Sequence, residues 1–249
     1  MRLSSLSLAL TRPRGGAGGG GGGSSPAAVA TAAYWLDSTQ NVVGSAPVTS
    51  WTDRKLAKVF AASGSPQLIT GPPPRIRLGG VPDCLSGSTM DAVNYAGGNP
   101  AAMTFAFRTR SSFNNAAILA YGGGSNHFTL GINAAGVLKA SRSSDWSTND
   151  AVDVAALATD TLYVATVLYT GSELVLRRNA TGSGVISEVA RVANSYSFGS
   201  STGARVGGLA DGANFSQSAD AIQAVLFTSA YTLADVIAVE NYFKSQIGI

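Results

Sequence analysis

Apolar and polar positions alternate with a period of two along most of this chain, and the period lengthens to that of a helix in one place, near residue 235. Met103, Phe105 and Phe107 point one way and Thr104, Ala106 and Arg108 the other, the signature of a strand with one face in the core. Residues 116–121, 128–132 and 137–140 repeat the style, broken by glycines at 122–124 and by the turn 133–136. Residues 162–169 and 173–179 flank Thr170-Gly171-Ser172 and form the clearest hairpin, and residues 203–209 add another strand. Residues 221–227 put Ile222, Ala224 and Leu226 on one face with Val225 and Phe227 behind, which suits a central strand covered on both sides.

The helix follows at once. Thr232 stands at the N-cap, Asp235 is placed to bond back to it, and Tyr231 can staple against Val236. Turning 100° per residue gathers Leu233, Val236, Ile237, Val239, Phe243 and Ile247 into one stripe, and Gly248 ends it. Glu240 falls inside that stripe. A carboxylate there needs a partner, so we expect a buried structural acceptor for an arginine such as Arg177 or Arg205, or for backbone amides.

Several stretches in order carry a resemblance: Tyr34-Trp35-Leu36-Asp37; Val48-Thr49-Ser50-Trp51-Thr52-Asp53; residues 74–85; the hairpin with Leu174, Leu176 and Asn179 in register; and the closing AVLFTSAYTLADVIAVENYFKSQIGI. Residues 34–249 thereby resemble the concanavalin A-like lectin/glucanase superfamily, in particular the laminin-G-like jelly-roll domains common in bacteriophage and bacterial proteins. The resemblance implies an all-β fold, a two-sheet antiparallel jelly-roll sandwich whose C-terminal helix plugs one edge or end. Trp35, Asp37, Trp51 and Asp53 fall on its two tryptophan–aspartate positions and are read as structural, the tryptophans as core anchors. Cys84, where the family has an aromatic residue, reads as a small buried hydrophobe, and Gly79 stands at an aspartate position. Residues 54–58 depart from the family's Ser-Gly-Asn-Gly turn, so a calcium or glycan role borne by that turn is not carried over.

Composition adds an N-terminal arm and a lifestyle. Residues 1–25 combine alternating Leu3, Leu6, Leu8 and Leu10 with a glycine run at 18–23, and we read them as an anchoring arm ahead of a jelly roll at 26–249. A secretory signal is not expected, nor a membrane span. One cysteine excludes an internal disulfide, and only 12% of residues are charged, a surface suited to assemblies. The net charge of +3 is carried by arginines dispersed along the sequence, which shows no nucleic-acid footprint. The expectation is a bacteriophage virion structural protein, assembled in the host cytoplasm, a homo-oligomer bound to other virion proteins through the arm. The alternative is an attachment module for host-surface glycan.

Candidate chemistry is sparse. Glycosidases on this architecture need two carboxylates flanking one bond, and Glu173, Glu188 and Glu240 have no partner two or four residues away, so the chain is not expected to be an enzyme. His127, the one histidine, precedes a strand and is expected to face solvent. The polar stretch from 144 to 153 offers Asp145, Trp146, Asn149 and Asp150 as ligand-binding residues, able to stack a sugar and to give calcium its oxygen ligands; its other reading is an exposed loop. No other cofactor is implied.

Overall fold

The computed structural model describes residues 23–80, 82–123, 126–143, 150–199, 203–209 and 216–249. In chain order the strands are β1 (Ala32–Asp37), β2 (Val42–Gly44), β3 (Val48–Thr52), β4 (Val59–Ser63), β5 (Gln67–Ile69), β6 (Arg75–Arg77), β7 (Cys84–Gly87), β8 (Ala101–Thr109) and β9 (Ala116–Gly123). There follow β10 (Asn126–Ile132), β11 (Val137–Ser143), β12 (Asp150–Ala156), β13 (Leu162–Tyr169), β14 (Glu173–Asn179), β15 (Ile186–Ala193), β16 (Ala204–Val206), β17 (Ala219–Phe227) and the helix α1 (Leu233–Ile247). They build two antiparallel sheets. One has eight strands in the order β15-β14-β13-β8-β17-β6-β5, with β1 also paired to β17; the other has nine, β12-β11-β10-β9-β16-β7-β4-β3-β2. The expected two-sheet sandwich is the observed fold.

Between the sheets lies the main core, where Met103, Phe105, Phe107, Leu174 and Leu176 of the first sheet meet Leu119, Phe128, Leu130 and Leu138 of the second. A second core lies on the opposite face of the eight-stranded sheet. Ala102, Ala106, Val164 and Val225 there pack under Val236, Val239, Phe243 and Ile247 of α1, so the helix covers a face and does not plug an edge. The reason is local to β17. Its pairing with β8 shifts between Ala221 and Gln223, and this bulge turns Ile222 toward the helix with Val225 and Phe227, while Ala221, Ala224 and Leu226 face the main core. The expected grouping of Ile222 with Ala224 and Leu226 is therefore corrected. Thr104 and Thr166, polar residues under the helix, satisfy each other across neighbouring strands at 2.9 Å.

The helix ends obey their residues. Thr232 and Asp235 form a reciprocal capping box, and Gly248, at φ 76°, caps the other end with its N–H on the Lys244 carbonyl. The buried stripe is narrower than the wheel suggests: Leu233 is 50% and Ile237 38% exposed. Glu240 is buried and accepts two hydrogen bonds from Arg177 on β14, at 3.0 and 2.9 Å. Arg205 is on the other sheet, bonded to Ser86 Oγ and the Leu209 carbonyl.

The two tryptophan–aspartate pairs lace the sheets together. Asp53 accepts the Trp35 backbone N–H as well as those of Lys55 and Leu56, and Trp51 Nε1 donates to the Asp37 carbonyl at 3.0 Å. Arg54 pairs with Asp37 at 2.6 Å and stacks 3.9 Å above the Trp35 ring. The departure from the family turn thus supplies the guanidinium that this knot uses. Cys84 is buried and free, as expected. His127 is buried and not exposed as expected: β10 begins before it, and it sits only 4% exposed, paired with Ser143 on β11. No helix among the described residues is long and apolar enough to cross a membrane.

Truncating Glu240 would leave Arg177 half-buried and unpaired. Glu240→Ala is expected to cost about 3 kcal/mol in urea unfolding, and Glu240→Gln, which keeps an acceptor, distinctly less. Equal loss from both would mean that packing of α1, and not the ion pair, sets the cost.

Candidate functional site

Where the first turn of α1 overhangs the sheet it leaves a cleft of about 300 Å³. Strand order explains its walls. Pro100 leads into β8, Leu168 lies near the end of β13, and Val175 lies on β14, giving an apolar floor that Leu233 and Tyr231 continue from the helix side. Thr170, Arg177, Glu188 and Arg191 converge on it from β13's turn, β14 and β15. An apolar surface with a few convergent polar groups is the general form of a small-molecule site. Tyr231 donates to the Tyr169 carbonyl at 3.0 Å, and burial pushes its phenol up to about 12, so it stays neutral and already committed.

The charged rim is ordered by one residue. Arg191 makes a two-pronged contact with Glu188, 2.9 Å from Nε and 2.7 Å from Nη2, and its third nitrogen reaches Glu173. These hydrogen bonds, with the charges of Arg191 and Arg177, hold the Glu188 carboxyl below the usual carboxylate range in spite of slight desolvation. Arg177 is in turn held upward, first by its hydrogen bonds to Glu240, against its own burial. Glu188 is therefore ionised at neutral pH. It can accept hydrogen bonds from hydroxyl groups or take a proton, but it is not set up to donate one.

Sequence spacing did not reveal this. Glu173 opens β14 and Glu188 lies in β15, and the pairing of these strands, with a register shift between Leu176 and Arg177, is what brings the two carboxylates to one guanidinium. The absence of two carboxylates on one strand was the wrong test, since neighbouring strands can supply one each.

The residues singled out beforehand fare differently. Asp145, Trp146 and Asn149 lie outside the described residues, as do Leu3, Leu6, Leu8 and Leu10 of the arm. Asp150 begins β12, a strand where a loop was one reading, and its backbone pairs with Ser141. Asp153 from the same stretch is buried and ion-paired to Arg178, which removes it as a calcium ligand. Among the described residues, no three His, Cys, Asp or Glu side chains gather closely enough to hold a metal ion.

No protein-family model and no curated protein matches the sequence. Solved structures do match. An arabinofuranosidase complexed with arabinofuranosyl-α-1,2-xylobiose shares 10% identity at a TM-score of 0.64, over 81% of this chain and 51% of its own. A GH54 α-L-arabinofuranosidase soaked with a cyclic sulfate inhibitor shares 12% identity at 0.64, over 89% and 60%. A Trypanosoma rangeli sialidase in complex with the inhibitor DANA shares 10% at 0.58, over 84% and 32%. The likeness is one of fold. It is a β-sandwich, consistent with a concanavalin-like jelly-roll kind of fold, and the chain spans between about a third and 60% of the length of these proteins. The expectation that the chain is not an enzyme is corrected here to an open one: structures that share its fold include arabinofuranosidases and a sialidase, so the lack of two carboxylates on one strand does not support it.

Replacing Arg191 by Gln removes the charge that holds Glu188 down. The Glu188 carboxyl should rise toward the ordinary range of about 4.3 in an NMR titration of Arg191→Gln. Because the native carboxyl is depressed, the stability that the contact contributes is present above that range and fades as pH falls through the folded-state value. An unmoved titration would show that Arg191 does not govern this carboxylate.

Proposed function

We propose that this chain is a carbohydrate-recognition module that seats one or two sugar units in the cleft beneath the first turn of α1. The observation that carries the reading is the composition of that cleft: a hydrophobic floor of Pro100, Leu168, Val175 and Leu233, facing an ionised carboxylate and two guanidinium groups. A sugar ring presents an apolar C–H face and a rim of hydroxyls. Glu188 would accept from two neighbouring hydroxyls, Arg177 and Arg191 would donate, and the aliphatic floor would take the ring face. Structures of the same fold come from proteins named as arabinofuranosidases and a sialidase, which supports a saccharide over other small molecules. Glu188, as the ionised carboxylate of the rim, is the group to substitute should bound sugar also be cleaved.

Display on a bacteriophage particle is a second reading, which rests on the sequence resemblance. At Gly23 a side chain would collide with the Ala238 carbonyl and the Tyr242 amide, so the chain enters the fold pressed against α1. A tether leaving there, with other virion proteins or further copies of the chain as its partners, would hold the module by its helix side.

Isothermal titration against arabinofuranosyl-xylobiose and a panel of neutral oligosaccharides tests the leading reading. Binding by the wild type, weakened about tenfold in Glu188→Gln and in Leu233→Ala, is the expected result. Binding unaffected by both substitutions would move the site elsewhere, and no binding across the panel would refute the proposal. Deleting residues 1–22 should leave urea stability unchanged while abolishing incorporation into particles; normal incorporation would remove the arm as an anchor.

A further inference from the structure

Arginines that stand far apart in the sequence are brought together at the other end of the eight-stranded sheet. Arg75 and Arg77 lie on β6, Arg108 near the end of β8 and Arg110 just beyond it, and all four line one cavity of about 190 Å³. Two carboxylates share it. Asp220 of β17 is buried, and Asp160 stands exposed at the mouth. Four positive charges against two leave an excess of two.

The geometry shows how that excess is held. Register places Asp220 between Arg108 on β8 and the paired strand β6. Its carboxylate accepts from Arg75 Nε at 3.0 Å and from Arg77 Nε and Nη2 at 3.3 and 3.2 Å, with Arg110 Nε 4.0 Å away. Arg110 is further fixed by a hydrogen bond to the Leu78 carbonyl at 2.9 Å. One buried carboxylate thus orders three guanidinium groups. It cannot saturate them, because each guanidinium carries five N–H donors. Arg108 makes no ion pair and no side-chain hydrogen bond among the described residues, although it lines the same cavity. An arginine pocket pre-ordered from behind, open in front and carrying surplus charge is suited to a planar or tetrahedral oxyanion.

We propose that this pocket binds the carboxylate or sulfate substituents of an acidic polysaccharide. The open mouth is the reason for a polymer-borne group: Arg77 is 39% exposed and Arg110 28%, so an oxyanion can enter while still attached to a larger molecule. The cleft under α1 lies at the opposite ends of β8 and β13, a strand length of roughly 27 Å away, so the two are separate sites. This inference does not rest on sugar binding in that cleft.

The test uses the full chain with dextran sulfate, polygalacturonate and uncharged dextran, at near-physiological salt. Dextran sulfate or polygalacturonate should bind and dextran should not. Arg108→Gln, which breaks no ion pair or side-chain hydrogen bond among the described residues and should leave the circular dichroism unchanged, should weaken that binding at least about tenfold. Lys58→Gln, just before β4 of the other sheet, should not. Millimolar inorganic sulfate should compete, while the cleft substitution Glu188→Gln should leave polyanion binding intact. The proposal is overturned if neither charged polymer binds, if Lys58→Gln weakens binding as much as Arg108→Gln, or if inorganic sulfate binds and both polymers are excluded. A DNA duplex binding as tightly, with the same loss in Arg108→Gln, would also overturn it in favour of a nucleic-acid phosphate site.

Discussion

The central strands of the eight-stranded sheet are buried on both faces, and most of what is distinctive in this molecule follows from that constraint. A strand with solvent on one side can alternate apolar and polar residues; β17 and the middle of β8 cannot, and every residue of β17 is buried. Polar groups that remain must find partners inside, as Thr104 does with Thr166. The helix is the lid that makes two-sided burial possible. Its own charged residue on the buried stripe, Glu240, is tolerated because Arg177 meets it with two hydrogen bonds from the sheet below. The ion pair and the apolar core beneath it together seat α1, and with it the overhang of the first turn above β13 and β14.

The knot at the start of the domain has a different task. Asp37 ends β1 and Asp53 follows β3 of the opposite sheet, and their contacts run across: Asp53 takes the Trp35 amide, Trp51 donates to the Asp37 carbonyl, and Arg54 closes the circuit onto Asp37 and the Trp35 ring. Trp35 also meets Tyr242 of α1 edge-on, 5.8 Å between ring centres. Sheet, sheet and helix thus share one buried cluster, so a single local defect there would loosen all three layers.

Strands, hairpin and helix caps were legible in the sequence because their causes are local. Alternation fixes which side Met103, Phe105 and Phe107 take, and Thr232 with Asp235 fixes where α1 begins. The unread features depend on register between distant strands. A bulge at Ile222 has no mark in the sequence, yet it decides which core that side chain joins. The same holds for function: Glu173 and Glu188 meet only through the pairing of β14 with β15, and Arg75, Arg77 and Arg108 only because β17 brings β6 and β8 to either side of Asp220. Glu240 was foreseen as needing an arginine, since burial of a charge is readable from the helix stripe, whereas the choice of Arg177 over Arg205 required knowing which sheet lay beneath.

Strand ends are where such a sheet can afford polar chemistry. In the middle, the helix and the main core leave no room; toward Pro100 and Thr170 the helix stops covering the sheet, and toward Thr109 it does not reach. The exposed Leu233 marks the first of these limits, and the buried but over-subscribed Asp220 marks the second. The two openings differ in kind for a physical reason. Next to the helix start, apolar side chains already committed to the second core spill out and form a floor for a neutral ligand. Beyond its reach, the outward positions of β6 and β8 carry arginines, and one carboxylate placed among them turns mutual repulsion into an ordered array with charge left over.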